Sequence, residues 1–326
     1  MNDTRSLEEQ LTKNLTDVHS IEEQALTQLR RAPEIAGDPL LAQIFSDHLA
    51  ETERQESLVR ARLMGHAATP SAVKDLAGQA GGMGMVLFAR FNPDTPGKLT
   101  AHAYAYEHME LAAYELLKRI ADRAGDVETV EIAAEIAGEE QAMANRLESA
   151  FDRAVEASLR DLDPTDLDDQ LVSYLADAHA IEMQAIGLLQ NGPKIVGNDK
   201  LAALFEEHLA ETRHHEERIR ERLEAHESGP SRIKDATLRL GSLNIAGFFG
   251  AQPDTQAKLP GFAFAFEHLE IAAYELLKRV AQRAGDMETV AIAEATLAEE
   301  RAAAQKIAAL WDTAADAALE AQGVTA

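Results

Sequence analysis

The chain contains a second version of itself. Shifting the 326-residue sequence by 160 positions aligns Asp17–Ala150 with Asp177–Leu310 without a gap, giving 61 identities in 134 positions. The densest stretch pairs Leu99–Val130 with Leu259–Val290, where 22 of 32 positions are identical. A period this long marks a duplicated domain and not a short-repeat solenoid. The acidic segment Arg160-Asp161-Leu162-Asp163-Pro164-Thr165-Asp166 lies between the copies and reads as a linker. The expected domains are 1–160 and 161–326.

Each copy reads as all-α. In copy one the first helix is expected over about Ser6–Arg31, with Leu11, Leu15, Val18, Ala25 and Leu29 spaced three and four apart. Pro33 and Gly37 stop it. Asp38 as N-cap and Pro39 at the first helical position open the second helix, which runs to about Gly65. The third covers about Lys98–Ala124 and ends at Gly125; Asp126 caps the fourth, which runs to about Leu159. The first and last connections are short, so those helices pair antiparallel. About thirty residues, from His66 to Gly97, separate the two hairpins, enough to travel the bundle's length, and Val73–Gly84 is a candidate extra helix. The expected fold is two tandem four-helix bundles, each with a long crossover.

Acids interrupt the apolar stripes. The first helix reads Leu11, Leu15, Val18, Glu22, Ala25, Leu29, and its copy repeats the interruption at Glu182. The fourth helix places Glu140 between Ala137 and Ala144, and its copy places Glu300 between Leu297 and Ala304. Glu110, with its copy Glu270, follows Tyr106 on the line to Tyr114 and Leu117; the second helix carries Leu41, Ile44, His48, Glu51 and Leu58. Heights agree as well. Glu22 lies 13 residues before Ile35 and His48 lies 13 after; Glu110 and Glu140 lie 15 on either side of Gly125. At about 1.5 Å rise per residue, each pair meets near mid-bundle.

Ionised carboxylates gathered in a dry core repel one another, and each costs several kcal/mol to desolvate. A cation between them removes both penalties. The sequence has no cysteine, so any ligands are carboxylate, imidazole or water. That donor set suits iron or manganese and admits zinc. The net charge of −25 opposes phosphate backbones and argues against nucleic-acid binding. The polar N-terminus lacks a signal-peptide pattern, and no run approaches the roughly 18 apolar residues of a membrane span, so the cytoplasm is the expected location.

The phrases Asp17-Val18-His19-Ser20-Ile21-Glu22-Glu23-Gln24, His48-Leu49-Ala50-Glu51-Thr52, Glu107-His108-Met109-Glu110-Leu111-Ala112-Ala113-Tyr114 and Glu139-Glu140 together resemble the YciF-type ferritin-like proteins, in both copies. The resemblance implies a ferritin-like bundle, a dinuclear metal site and an association with bacterial stress responses. In ferritin-like di-iron sites two helices each give a Glu and two give Glu-x-x-His. Carried over, Glu22 and Glu110 match the single glutamates, and Glu51 and Glu140 the first members of the pairs. The sequence departs from the pattern at Arg54 and Met143, three residues after Glu51 and Glu140. In copy two Glu211 is followed by His214 and His215, but Glu300 by Ala303. His48 and His208 offer imidazole from the other side of the acid.

Glu107 and Glu139, with their copies Glu267 and Glu299, flank the core line, and each reads equally as ligand or rim acid. His19 reads equally as a ligand or as a partner of one. His108 and His268 fall off the stripe, which points to an interface or supporting role. Tyr114 and Tyr274 read by default as core packing. The reading is a dinuclear iron or manganese protein, acting on O2 or peroxide if the metal is redox-active, with the copies forming an intramolecular pseudo-dimer that is open to further self-association. Two rivals remain: a metal-free structural or interaction bundle with protonated acids, and a small-molecule binder whose pocket is shaped by Met83, Met85, Phe88, Phe248 and Phe249.

Overall fold

The computed structural model describes residues 7–66, 96–226 and 255–324. The suggested helix over Val73–Gly84 and the pocket residues Met83, Met85, Phe88, Phe248 and Phe249 lie outside these. Half one comprises α1 (Leu7–Leu29), a single turn α2 (Ala32–Ile35), α3 (Pro39–His66), α4 (Pro96–Ala124) and α5 (Val127–Leu159). A 3-10 turn, Pro164–Asp166, leads to half two: α6 (Leu167–Ile195), α7 (Asp199–Ala225), α8 (Thr255–Ala284), α9 (Met287–Ala308) and α10 (Trp311–Ala321). No strand occurs among the described residues.

The short connections follow one recipe. Gly37, Gly125, Gly197 and Gly285 all have positive φ, between 63 and 76°. At Gly37 an added Cβ would also meet Pro96 Cγ at 2.7 Å, so glycine is required there for two reasons. Each glycine precedes a capping residue. Asp38 Oδ1 accepts from the Leu40 and Leu41 amides, and Asn198 Oδ1 from Lys200 and Leu201. Asp126 and Asp286 accept from Thr129 and Thr289. These bonds satisfy amides that a helix start leaves without a partner.

Within half one α1 packs on α3 and α4, and α5 packs on α3 and α4, closing a four-helix ring. Half two repeats this with α6, α7, α9 and α8. The halves meet along α4 and α8, and α10 covers both. This explains why α4 is buried almost all round, with an unbroken run of buried positions at Tyr104–Ala112. At the crossing the rings of His108 and His268 stack, their centroids 3.4 Å apart. Each donates from Nδ1 to its own helix, to Tyr104 O and Phe264 O.

Three details differ from the sequence expectation. The first helix ends at Leu29, and Pro33 sits in the first turn of the separate α2. In half two α6 passes through the equivalent Pro193. The last helix of half two breaks at Ala309–Leu310, and α10 then lies on α4, where Asp316 takes Arg123 at 2.5 Å. Finally, α3 is rotated from the expected stripe. Its buried face is Leu41, Phe45, His48, Thr52, Gln55, Val59 and Leu63, which moves Ile44, Glu51 and Leu58 to the edge. Thr52 returns its hydroxyl to His48 O, so its methyl can face the core without leaving a polar atom unpaired.

Candidate metal centres

In half one four helices send buried ionisable groups to one level. Glu22 comes from α1, His48 from α3, Glu107 and Glu110 from α4, and Glu140 from α5. The three-residue step between Glu107 and Glu110 puts both on one face of α4, one turn apart. Ligand atoms of His48, Glu107, Glu110 and Glu140 all lie within 4.8 Å of one another. His48 Nδ1 is 3.1 Å from Glu51 Oε2, which aims Nε2 inward, 3.2 Å from Glu107 Oε2 and 3.6 Å from Glu140 Oε2. The Tyr114 hydroxyl donates to Glu22 Oε1 and fixes that carboxyl.

Half two builds the same centre with one more imidazole. His208, Glu267, Glu270 and Glu300 form one group within 4.8 Å, and Glu182, His215 and Glu300 form a second. Glu300 belongs to both. His208 Nε2 lies 2.8 Å from Glu267 Oε2, and its Nδ1 lies 2.9 Å from Glu211. His215 Nδ1 approaches Glu300 Oε1 at 2.7 Å and Glu182 Oε1 at 3.8 Å. Tyr274 donates to Glu182 at 2.5 Å. Gln55 occupies the His215 position in half one and donates to Glu139 at 3.1 Å.

The inward-facing atoms have no hydrogen-bond partner outside their own cluster. They include Glu22 Oε2, His48 Nε2, Glu107 Oε2, Glu110 Oε1 and both oxygens of Glu140, and in half two Glu182 Oε2, His208 Nε2, Glu267 Oε2 and both oxygens of Glu270 and Glu300. Among the described residues no lysine or arginine pairs with Glu22, Glu107, Glu110 or Glu140, or with their counterparts Glu182, Glu267, Glu270 and Glu300.

Electrostatics records the same shortage of positive charge. Burial pushes Glu22 and Glu182 up to about 8 and Glu267 to about 7. Glu110, Glu140 and Glu270 rise well above the carboxylate range, from burial first and neighbouring acids second. Glu300 is the exception: burial pushes it up, but the bonds from His208 and His215 outweigh that and hold it near 2. Burial would lower His48 and His215, yet the acids around them raise both to about 9.

The other sequence candidates sit at the rim. Glu51 is drawn to Arg146 at 2.6 Å as well as to His48, and Glu211 lies near Lys306 at 3.9 Å. Glu139 takes Arg54 and Gln55, while Glu299 takes His215 at 2.6 Å and Arg218 at 3.3 Å. Their side chains are between 31 and 40% exposed. The rotation of α3 accounts for Glu51 and Glu211. On α5 and α9 the neighbouring Glu140 and Glu300 hold the inward position. His19 lies outside both groups, bonded through Nε2 to Glu56 at 3.0 Å. His214 is exposed beside Glu217. Sequence reasoning missed Gln55 and the anchoring role of the two tyrosines. Their signal was spacing: Tyr114 lies one helical turn from Glu110, and Gln55 aligns with His215.

No solved structure matches the chain. The family described as "Domain of unknown function (DUF892)" matches residues 6–160 and again residues 166–320, one match for each half. The chain therefore belongs to the DUF892 family, as a tandem pair of its domains.

Proposed function

We propose that each half is a ferritin-like metal centre holding iron or manganese, with half two dinuclear. The carrying observation is the set of buried carboxylate and imidazole atoms that converge with no partner outside their own cluster. Leaving one buried polar group unsatisfied costs about 1–3 kcal/mol, and several are gathered here. A cation offsets those costs together. Protonated acids bonded to one another would also do so, but both oxygens of Glu270 lack a partner even inside the cluster, which favours the cation.

In half one Glu22, His48, Glu107, Glu110 and Glu140 would hold the metal. In half two Glu182, His208, His215, Glu267, Glu270 and Glu300 would hold it, and Glu300, shared by both groups, is the residue suited to lie between two ions. Glu51 and Glu211 orient the imidazoles, and Tyr114 and Tyr274 orient the α1 and α6 glutamates, the supporting bonds that fix ligands in metal sites. Bound iron or manganese would supply one-electron chemistry toward O2 or peroxide. The surrounding helices bury every one of these candidate ligands. The 160-residue repeat supports domain boundaries at 1–160 and 161–326, and the resemblance to YciF-type proteins supports a role in stress protection.

The test is ferrous oxidation and peroxide consumption by metal-loaded protein, beside a Glu140→Gln/Glu300→Gln variant. Turnover that disappears in the variant supports an oxidoreductase. Bound metal without turnover supports a metal carrier, and absence of bound metal removes the proposal.

A further inference from the structure

The two halves differ where half one opens toward its centre. A cavity of about 30 Å³, open to solvent at its mouth, enters half one between α1, α3 and α4. Gln28 stands half-buried in its wall, His102 and Tyr106 line it further in, and it reaches Glu107. The His102 and Tyr106 rings lie roughly parallel with centroids 6.5 Å apart, and the Tyr106 hydroxyl is tied to Ile21 O at 2.9 Å. The wall is mainly apolar, and Gln28, His102 and Tyr106 are the polar positions along it before Glu107.

The 160-residue offset turns each of these polar groups into hydrocarbon. Gln28 becomes Leu188, His102 becomes Phe262 and Tyr106 becomes Phe266, all three buried in half two. Phe262 and Phe266 keep the stacked geometry, centroids 6.2 Å apart. Ala32 becomes Gly192, and the Phe205 ring seats so close to it that an added Cβ would lie 2.6 Å from Phe205 Cδ2. Polar solutes lose hydration along such a wall without recovering hydrogen bonds. Half two also has the additional imidazole of His215, which leaves fewer coordination positions open.

We infer that the halves have divided their roles: the cavity beside Tyr106 admits a small polar ligand of hydrogen-peroxide size to the Glu107 side of the half-one centre, and the half-two centre is closed to it. The inference rests on the metal reading above.

Azide, a small metal-binding anion, is a suitable probe, titrated into the iron-loaded full chain and followed by absorbance. With half two disabled by Glu182→Gln/Glu300→Gln, azide should bind at least tenfold more tightly than with half one disabled by Glu22→Gln/Glu140→Gln. In the otherwise unchanged chain, Gln28→Leu/His102→Phe/Tyr106→Phe should lower azide affinity by at least tenfold while iron per chain stays constant. Those substitutions are half two's own residues, so they suit this bundle. Equal azide binding by both halves, or undiminished binding by the triple variant, overturns the division of roles and leaves the metal reading standing. A wild-type chain that takes up no iron overturns both.

Discussion

Gln55 and His215 stand at the same point of α3 and α7, yet the two side chains make different contacts. Gln55 gives its amide to Glu139 at 3.1 Å, whereas His215 lies between Glu299 at 2.6 Å and Glu300 at 2.7 Å. One substitution thus distinguishes a centre with one imidazole from a centre with two. His215→Gln should weaken metal binding by half two by at least about tenfold, the lower end of what losing even a group that only supports a ligand costs. Gln55→His should strengthen half one. Competition with a chromophoric chelator measures both.

The metal-free protein should become less stable as pH rises from about 5 to 8. Glu22 and Glu182, at about 8, and Glu267, at about 7, keep protons in the folded state that the unfolded chain releases near 4.5. His48 and His215, at about 9, continue the loss above 6.5. Glu51 and Glu300, held near 2, act oppositely, and their contribution disappears as pH falls below 4.5. Thermal melts after chelator treatment should therefore peak near pH 5. Metal loading displaces the retained protons, so it should release acid and move the peak upward.

The caps are separable from the centres. Asp126 accepts from Thr129 N at 3.1 Å and from Arg62 at 2.6 Å, and it lies beside His66 at 2.8 Å. Asp126→Ala should cost about 2 kcal/mol, from the cap and the partly exposed ion pair together. Denaturant melts should show that loss with metal content unchanged.

Two symmetry-related ion pairs tie the halves together at different depths. Lys258 meets Asp17 at 2.9 Å with side chains 8 and 13% exposed, and Lys98 meets Asp177 at 3.1 Å at 31 and 39%. Asp17→Asn removes a carboxylate from a nearly buried ammonium and should cost about 2 kcal/mol or more. Asp177→Asn should cost less than about 1 kcal/mol. Paired unfolding curves compare them directly.

The architecture was legible because the signals repeat. Gly-Asp and Gly-Asn boundaries, apolar stripes and the 160-residue offset agree with one another, and Glu22, Glu110 and Glu140 are visible as acids where neighbours a turn away are apolar. The second helix of each half hid its register. Its inner face includes His48, Thr52 and Gln55, so polarity cannot distinguish it from the rim, and Ile44 and Leu58 suggest a stripe one position off. Glu107 and Glu139 were undecidable from sequence because each neighbours a candidate ligand and either side of the stripe would serve. Packing decides it: Glu107 faces His48 inside the bundle at 3.2 Å, while Glu139 remains within reach of Arg54.

The most direct measurement is metal per chain in protein purified without chelators or added metal, beside the Glu22→Gln/Glu182→Gln variant. The account predicts between about two and four iron or manganese ions per wild-type chain, and a clear loss of both metal and thermal stability in the variant. A metal-free wild-type chain whose stability the two substitutions leave unchanged would contradict it.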